Sequence, residues 1–248
     1  QGAVGVGYNA GNNDQGSYAV AIGYTAASLG QNTQSVAVGR KAGYEAQGSQ
    51  AIAMGAFAGQ TMQGEGAVAL GRQTAYDNQG TSAVAIGVAA GYYAQNTNSV
   101  AIGSSAGYAG QYSDAVSIGK EAGLYGQNTN TVAMGTSAGA LGQAINTVAL
   151  GAGAAVYSQQ DGAVAIGKDS GVYTQNNACV AIGYFTGVQG QKTQAVAIGT
   201  QAACQGQNAY CVAIGSTSGR RAQGVSAVAI GYQAGQFDQG QYSVAIGS

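Results

Sequence analysis

A four-residue pattern of alternating side chains recurs along the chain and is typical of a β-strand. Most copies read Val-Ala-Ile-Gly, as in residues 20–23, 84–87 and 100–103. Valine and isoleucine stand at alternate positions, with alanine between them and alanine or serine before them. Successive side chains of a strand point to opposite faces. This tetrad therefore predicts a short strand whose Val and Ile side chains face a core and whose small residues form a flat outer face.

The spacing of this tetrad predicts a repeat architecture. Its closing glycine recurs every 16 residues in sixteen copies, from Gly7 to Gly247, without an insertion or deletion. A glutamine keeps the same period at fifteen positions, from Gln15 to Gln239. Gly or Asn follows this glutamine in eleven of the fifteen copies, which predicts a turn position with positive φ. The tetrad glycine has two interpretations, a positive φ or a close backbone approach.

One such unit cannot bury its own apolar side chains, but stacked units can. We therefore predict an all-β fold, a parallel β-solenoid (β-roll) of 16-residue coils with two short strands each. We expect the chain to form a single repeat domain, residues 1–248, of about fifteen and a half coils, and to be an excerpt of a longer chain. The invariant glutamines are expected to form a hydrogen-bonded amide ladder along the solenoid. Its first eight members are Gln15, Gln31, Gln47, Gln63, Gln79, Gln95, Gln111 and Gln127.

The composition argues against several function classes. Charged residues make up 7% of the chain and the net charge is −1, so we expect no nucleic-acid partner. No apolar run approaches 18 residues, so no membrane insertion is expected for this segment. Histidine is absent, and Gly119-Lys120 lacks the Ser or Thr of a phosphate loop. We expect neither an enzyme nor a cofactor or metal.

Cys179 and Cys211 occupy a column that Ala or Ser usually fills. The two lie two coils apart, about 9.6 Å, which is too far for a disulfide within one chain. We interpret them as small structural residues, with a disulfide between chains left open.

The sixteen tyrosines avoid the Val and Ile columns. Two interpretations remain open for them. Stacked rings could hold adjacent coils together or fill grooves between chains, or they could form an exposed aromatic ladder that binds sugars or a protein surface. The candidate ladder comprises Tyr76, Tyr92 and Tyr108 in one column, and Tyr93, Tyr125, Tyr157 and Tyr173 in the neighbouring column.

The segment Asn98–Gly103, Asn-Ser-Val-Ala-Ile-Gly, resembles the head-repeat motif of the YadA-like trimeric autotransporter adhesins. Residues 230–236, Ile-Gly-Tyr-Gln-Ala-Gly-Gln, are similar to repeats of tail-fibre-like proteins of phages and large viruses. The resemblance covers the whole chain and implies a left-handed β-roll, three chains in one head, and binding to host or matrix surfaces. The strict spacing and the invariant glutamine are more regular than in typical adhesin heads.

These observations favour a structural, adhesive fibre segment, a homotrimer on a cell surface or virion that contacts a host protein or glycan. A self-assembling extracellular filament is the alternative, since the chain starts and stops within a repeat without polar caps. An ice-binding solenoid is a lesser alternative, because its expected Thr ladder is interrupted by Glu65, Ile145, Asp161 and Asn177.

Overall fold

The computed structural model describes residues 2–248. Its internal contacts divide the chain into two compact units, Gln1–Thr129 and Asn130–Ser248. Each unit is a parallel β-solenoid, and the described residues form about 15 coils in all, with no helix among them. Equivalent residues of neighbouring coils lie 16 positions apart, as Val84 and Val100 do. The predicted all-β solenoid with 16-residue coils is therefore confirmed.

Two kinds of three-residue strand alternate along the chain. We call those that carry the Val-Ala-Ile pattern the tetrad strands and those that end in the invariant glutamine the glutamine strands. Within each unit, equivalent strands of neighbouring coils pair in parallel and in register, as Ala85 pairs with Ala101.

The tetrad strands of the first unit are Val4–Val6, Val20–Ile22, Val36–Val38, Ile52–Met54, Val68–Leu70, Val84–Ile86, Val100–Ile102 and Val116–Ile118. Those of the second unit are Val132–Met134, Val148–Leu150, Val164–Ile166, Val180–Ile182, Val196–Ile198, Val212–Ile214, Val228–Ile230 and Val244–Ile246.

The glutamine strands of the first unit are Asn13–Gln15, Leu29–Gln31, Glu45–Gln47, Thr61–Gln63, Asp77–Gln79, Tyr93–Gln95, Ala109–Gln111 and Tyr125–Gln127. Those of the second unit are Leu141–Gln143, Tyr157–Gln159, Gln189–Gln191, Gln205–Gln207 and Arg221–Gln223. Gln175 continues this series through single bridges to Gln159 and Gln191.

The tetrad strands face the opposite way from the sequence prediction. The central alanines, such as Ala85 and Ala101, are fully buried, and so are the small residues that precede the valines, such as Ser99. Valine and isoleucine point outward instead and are half-buried or exposed, with Ile22 39% accessible. The predicted Val and Ile core and the predicted flat outer face of small residues are both wrong. The invariant glutamine side chains occupy much of the space between the two sheets of a coil, so the inner face of the tetrad strands has room for only small side chains.

The interior consists almost entirely of alanine and glutamine. Alanines of three columns are fully buried, as Ala83, Ala85 and Ala90 are in one coil. Every large side chain that is fully buried is an invariant glutamine. Because a buried methyl group contributes far less transfer free energy than a buried Leu or Ile, backbone and amide hydrogen bonds carry much of the stability of a coil.

Each coil turns through backbone positions with positive φ. In one coil they are Gly103, Ser105, Gly107, Gly110 and Asp114, with φ values of 127°, 55°, 52°, 72° and 59°. The first of these is the tetrad glycine, whose φ lies between 118° and 134° in all sixteen copies. Only glycine adopts this backbone region readily. A Cβ on Gly103 would also lie 2.6 Å from the backbone oxygen of Gly119, so both interpretations of the tetrad glycine hold.

The glycine after the invariant glutamine has a different explanation from the one that the sequence predicts. Gly48, Gly64 and Gly80 do not have a positive φ. A Cβ on Gly64 would lie 2.5 Å from the backbone nitrogen of Thr81 in the next coil. The prediction of a positive φ is therefore wrong here, and glycine is favoured because the next coil passes close by.

Candidate functional site

The invariant glutamines of the first unit form a continuous hydrogen-bonded column inside the solenoid. The side-chain nitrogen of each donates to the side-chain oxygen of the next at 3.1 to 3.4 Å, from Gln31 to Gln127. The same nitrogen donates at 2.8 or 2.9 Å to the carbonyl of a tetrad-strand residue, as Gln95 does to Val84. Each amide therefore joins the two sheets of one coil and also joins that coil to the next.

The column begins one coil later than the sequence predicts. Gln15 donates to the carbonyl oxygens of Val4 and Ala19, and Oε1 of Gln31 has no hydrogen-bond partner. In the second unit an equivalent column runs from Gln143 to Gln239, with distances of 2.6 to 2.9 Å. Because nearly all of these amides are buried and bonded within the chain, the columns act in folding and do not reach a ligand.

Three tyrosines of the first unit stack face to face beside the glutamine strands. The ring centroids of Tyr76 and Tyr92 lie 4.9 Å apart, and those of Tyr92 and Tyr108 lie 5.1 Å apart. Both pairs are within 7° of parallel. The centroid distances match the spacing of neighbouring coils, about 4.8 Å, so the rings follow the backbone ladder.

Two further tyrosines stand perpendicular to this stack. Tyr93 contacts Tyr92 at 4.4 Å and Tyr108 at 6.1 Å, with interplanar angles of 86° and 87°. Tyr125 contacts Tyr108 at 6.0 Å and 78°. We call these five residues, Tyr76, Tyr92, Tyr93, Tyr108 and Tyr125, the aromatic array. Tyr93 and Tyr125 are its most accessible members, at 44% and 46%.

The centre of the aromatic array is partly shielded from water. Burial raises the pKa of Tyr92 from 10.0 to about 12, and a hydrogen bond with Tyr93 and the neighbouring phenols act in the same direction. A phenolate at this position would lose water and face other phenols. Tyr92 therefore stays neutral far above physiological pH.

The second unit uses the same column differently. Tyr157 and Tyr173 lie in adjacent coils, and their rings stack at 5.4 Å and 2°. The structure thus separates the four tyrosines that one sequence column brings together. Tyr93 and Tyr125 turn perpendicular to a neighbouring stack, whereas Tyr157 and Tyr173 cover each other's faces.

Other aromatic contacts lie outside the predicted columns. Phe57 packs on Tyr76 at 6.4 Å and lies under the guanidinium of Arg40 at 4.4 Å. Tyr8 and Tyr24 stack at 5.3 Å in the column directly after the tetrad. That column carries many aromatic and charged residues, but the spacing alone does not show that Arg40 would meet Phe57 from the neighbouring column.

The outward Val and Ile side chains form a second candidate surface. In each unit, eight tetrad strands place two branched apolar columns side by side on one flat sheet face. Met54 and Met134 replace isoleucine and are 46% and 41% accessible. Contiguous apolar patches of this kind mark interaction surfaces in soluble proteins.

The cysteines belong to the interior. Cys179 and Cys211 are fully buried and free, and burial raises the pKa of both thiols. Their inward position does not fit the disulfide between chains that the sequence left open. Cys204 is partly accessible and also free.

Residues 2–248 contain no group of three or more His, Cys, Asp or Glu side chains that could hold a metal ion. Nor does any helix of sufficient length and apolar character to cross a membrane occur among them. No protein-family model matches the chain, and a search of curated proteins gives no match.

Proposed function

We propose that the chain is a structural, adhesive segment of a fibre, in which three copies pack through their outward Val and Ile face. The fibre would stand on a cell surface or virion and contact host or matrix surfaces. The single observation that carries this proposal is the outward position of Val and Ile on the tetrad strands. The trimer and the location follow the resemblance to adhesin head repeats.

The stability of the coil supports self-association. The interior of each coil offers mainly alanine methyl groups, while the larger Val and Ile side chains remain partly in water. Transfer of such a side chain out of water contributes about 1.5–3 kcal/mol when the burial is complete. Packing of copies on this face would therefore add the hydrophobic stabilisation that a coil lacks on its own.

The shape of the face also supports close packing. Eight parallel strands per unit at about 4.8 Å make a strip roughly 35 Å long. Val and Ile repeat in register along it, as Val84 with Val100 and Ile86 with Ile102. A regular, flat and apolar strip is complementary to a second copy of itself.

The adhesive part of the proposal rests on the exposed aromatic residues. Tyrosine combines a large apolar ring with a polar hydroxyl and is enriched at protein interfaces. The glutamine strands carry exposed tyrosines, among them Tyr93 and Tyr125, on the side of the coil away from the tetrad strands. Assembly through Val and Ile would leave those rings accessible.

The test is the mass of the assembly in solution, measured by light scattering after size exclusion and by sedimentation velocity. We expect a species of three times 24.2 kDa for the 248-residue chain. Ile102→Glu places a charge in the apolar strip and should shift the mass toward the monomer. Ser104→Glu, two residues away on an exposed turn position, is the matched control and should leave the mass unchanged.

A stable monomer at all concentrations would contradict the proposal, and so would an equal effect of the two variants. A mass far above the trimer, with filaments in electron micrographs, would instead support the alternative of a self-assembling filament. Circular dichroism of each variant confirms that the β-solenoid remains folded.

A further inference from the structure

Tyr93 and Tyr125 are the two most accessible rings of the aromatic array, at 44% and 46%. Both faces of Tyr92 are covered, by Tyr76 and by Tyr108. The perpendicular contact at 4.4 Å must therefore bring the edge of Tyr92 against one face of Tyr93. The opposite face of Tyr93 is left toward solvent, in agreement with its 44% accessibility.

Tyr125 occupies the equivalent place two coils further along. The ring of Tyr108 is equidistant from the two, at 6.1 Å from Tyr93 and 6.0 Å from Tyr125. Both rings are close to perpendicular to Tyr108. The two accessible rings thus contact one stack, and their backbone positions lie two coils apart in the column, about 9.6 Å.

The small residue between them keeps the two rings apart. Ala109 pairs in register with Tyr93 on one side and with Tyr125 on the other. Where tyrosines occupy consecutive coils of this column, as Tyr157 and Tyr173 do, the rings stack at 5.4 Å and cover each other. The gap at Ala109 therefore leaves two separate flat faces in place of one closed stack.

We propose that Tyr93 and Tyr125 form a two-ring platform that binds a β-1,4-linked pyranose chain lying along the solenoid. Such a chain is flat, its sugar rings present apolar C–H faces, and every second ring has the same orientation. Sugar rings of the same orientation are separated by the length of one disaccharide. The spacing of two coils along the solenoid matches this length. An α-1,4-linked chain coils and does not place alternate sugar rings along a straight line.

Polar groups beside the platform fit the same ligand. Asp77 pairs in register with Tyr93 from the preceding coil, so its carboxylate lies at the end of the platform and can accept hydrogen bonds from sugar hydroxyls. The phenol hydroxyls of Tyr93 and Tyr125 can donate or accept at the ring edges. No Lys or Arg occupies the column between Asp77 and Tyr125. A neutral sugar chain bound there would therefore not remove water from a positively charged side chain.

This inference rests on the adhesive part of the proposed function and deepens it, because it names the ligand class.

The experiment is isothermal titration of the purified chain with cellohexaose and with chitohexaose, with maltohexaose as the α-linked control. We expect binding of at least one β-linked hexamer and none of maltohexaose. Tyr93→Ala and Tyr125→Ala should each weaken binding roughly three- to tenfold, the range of a lost aromatic contact. Tyr93→Phe and Tyr125→Phe, which keep the rings, should bind within about twofold of the original chain.

Two variants test the geometry itself. Ala109→Tyr should favour a continuous stack along the column and abolish binding, although it adds an aromatic residue. Tyr157→Ala removes an equally exposed tyrosine from the same column of the second unit and should leave binding unchanged. Circular dichroism shows which variants are folded. If an alanine variant does not fold, the phenylalanine variants and Ala109→Tyr still test the site.

The proposal would be overturned if neither β-linked hexamer bound the folded chain, or if maltohexaose bound equally well. It would also be overturned if Tyr157→Ala weakened binding as much as Tyr93→Ala, or if Ala109→Tyr had no effect. The oligomeric mass is measured on the same samples. Loss of glycan binding with an intact trimer therefore separates a failure of this site from a failure of the assembly.

Discussion

The side-chain nitrogen of Gln79 donates to the side-chain oxygen of Gln95 at 3.1 Å, although the two residues are 16 positions apart. The same nitrogen donates to the carbonyl oxygen of Val68 in the facing sheet at 2.9 Å. One amide thus satisfies an oxygen in the next coil and an oxygen across the interior. Since no other side chain of this size is fully buried among residues 2–248, the column takes the place that branched apolar residues have in most cores.

Replacement of Gln95 by methionine should destabilise the fold by about 1–3 kcal/mol, because the carbonyl of Val84 and the oxygen of Gln111 lose their buried donor. Methionine has a similar shape and leaves no large cavity. Chemical denaturation followed by circular dichroism measures the change. Gln205→Met, at an exposed strand position, is the control and should change the free energy of unfolding by less than about 0.5 kcal/mol. Equal effects would contradict the role of the column.

Gly103→Ala should be strongly destabilising, by more than about 2 kcal/mol. The φ of 127° is unfavourable for alanine, and the new methyl group would meet the backbone of Gly119 at 2.6 Å. Gly190→Ala separates these causes, because Gly190 has a φ of 52° and no atom within 4 Å of the added methyl group. Its cost should be about 1 kcal/mol, and that of Gly240→Ala, which is free of both constraints, close to zero. Thermal unfolding of the three variants checks this order.

Ala101 and Ile102 test which side of the tetrad strand is the interior. Ala101→Val adds two methyl groups to a fully buried position and should cost about 1–3 kcal/mol. Ile102→Ala removes a larger apolar group, but from the outward side, so it should cost less than the roughly 2–5 kcal/mol of a core substitution. Denaturant unfolding at a concentration where Ile102→Ala is monomeric measures both. The reverse order would show that Val and Ile face inward.

The pKa of Tyr92 predicts a loss of stability at high pH. The folded-state pKa of about 12 lies above the ordinary value of 10.0, so the folded chain keeps the proton that the unfolded chain releases. The contribution of Tyr92 is complete below pH 10.0 and should decline as the pH rises to about 12. Unfolding of the original chain and of Tyr92→Phe, compared across this window, should show a smaller decline for the variant. An identical decline would contradict the partly buried environment of Tyr92.

The three thiols should differ in their reaction with an aromatic disulfide reagent. Cys179 and Cys211 are fully buried, and burial raises the pKa of each thiol, so both should react only after the coil opens. Cys204 is partly accessible and should react first. Cys204→Ser should therefore remove the rapid phase and leave the slow one. A rapid phase that persists in this variant would place one of the other thiols at the surface.

The sequence allowed the coil length, the two strands and the parallel register to be predicted, because the 16-residue period has no exceptions. It did not show which side of the tetrad strand faces inward. Alternation fixes two faces but does not identify the inner one, and hydrophobicity alone favoured Val and Ile. The variability of the columns held the missing information, because isoleucine is replaced by Val38, Met54 and Leu70 while Ala37, Ala53 and Ala69 stay constant. The side-chain volume that fits between the two sheets determines which face of the tetrad strand is the inner one.

The ring orientations in the aromatic array could not be predicted from the sequence either. The period places Tyr93 and Tyr125 in one column with Tyr157 and Tyr173, but ring orientation depends on the neighbours of each coil. With Ala109 between them and the stack at Tyr108 beside them, two of the rings stand perpendicular to Tyr108 and do not stack on each other. Such differences arise from side-chain packing, and a column of residue types does not encode them.

Because each coil contacts chiefly the coils directly before and after it, its residues have nearly the same surroundings wherever it stands within a unit. Duplication of a 16-residue gene segment would thus lengthen the unit by one coil, about 4.8 Å, without creating a new packing problem. The length of such a molecule can therefore change in equal steps of one coil. Recognition residues on the outer columns can diversify independently of this length.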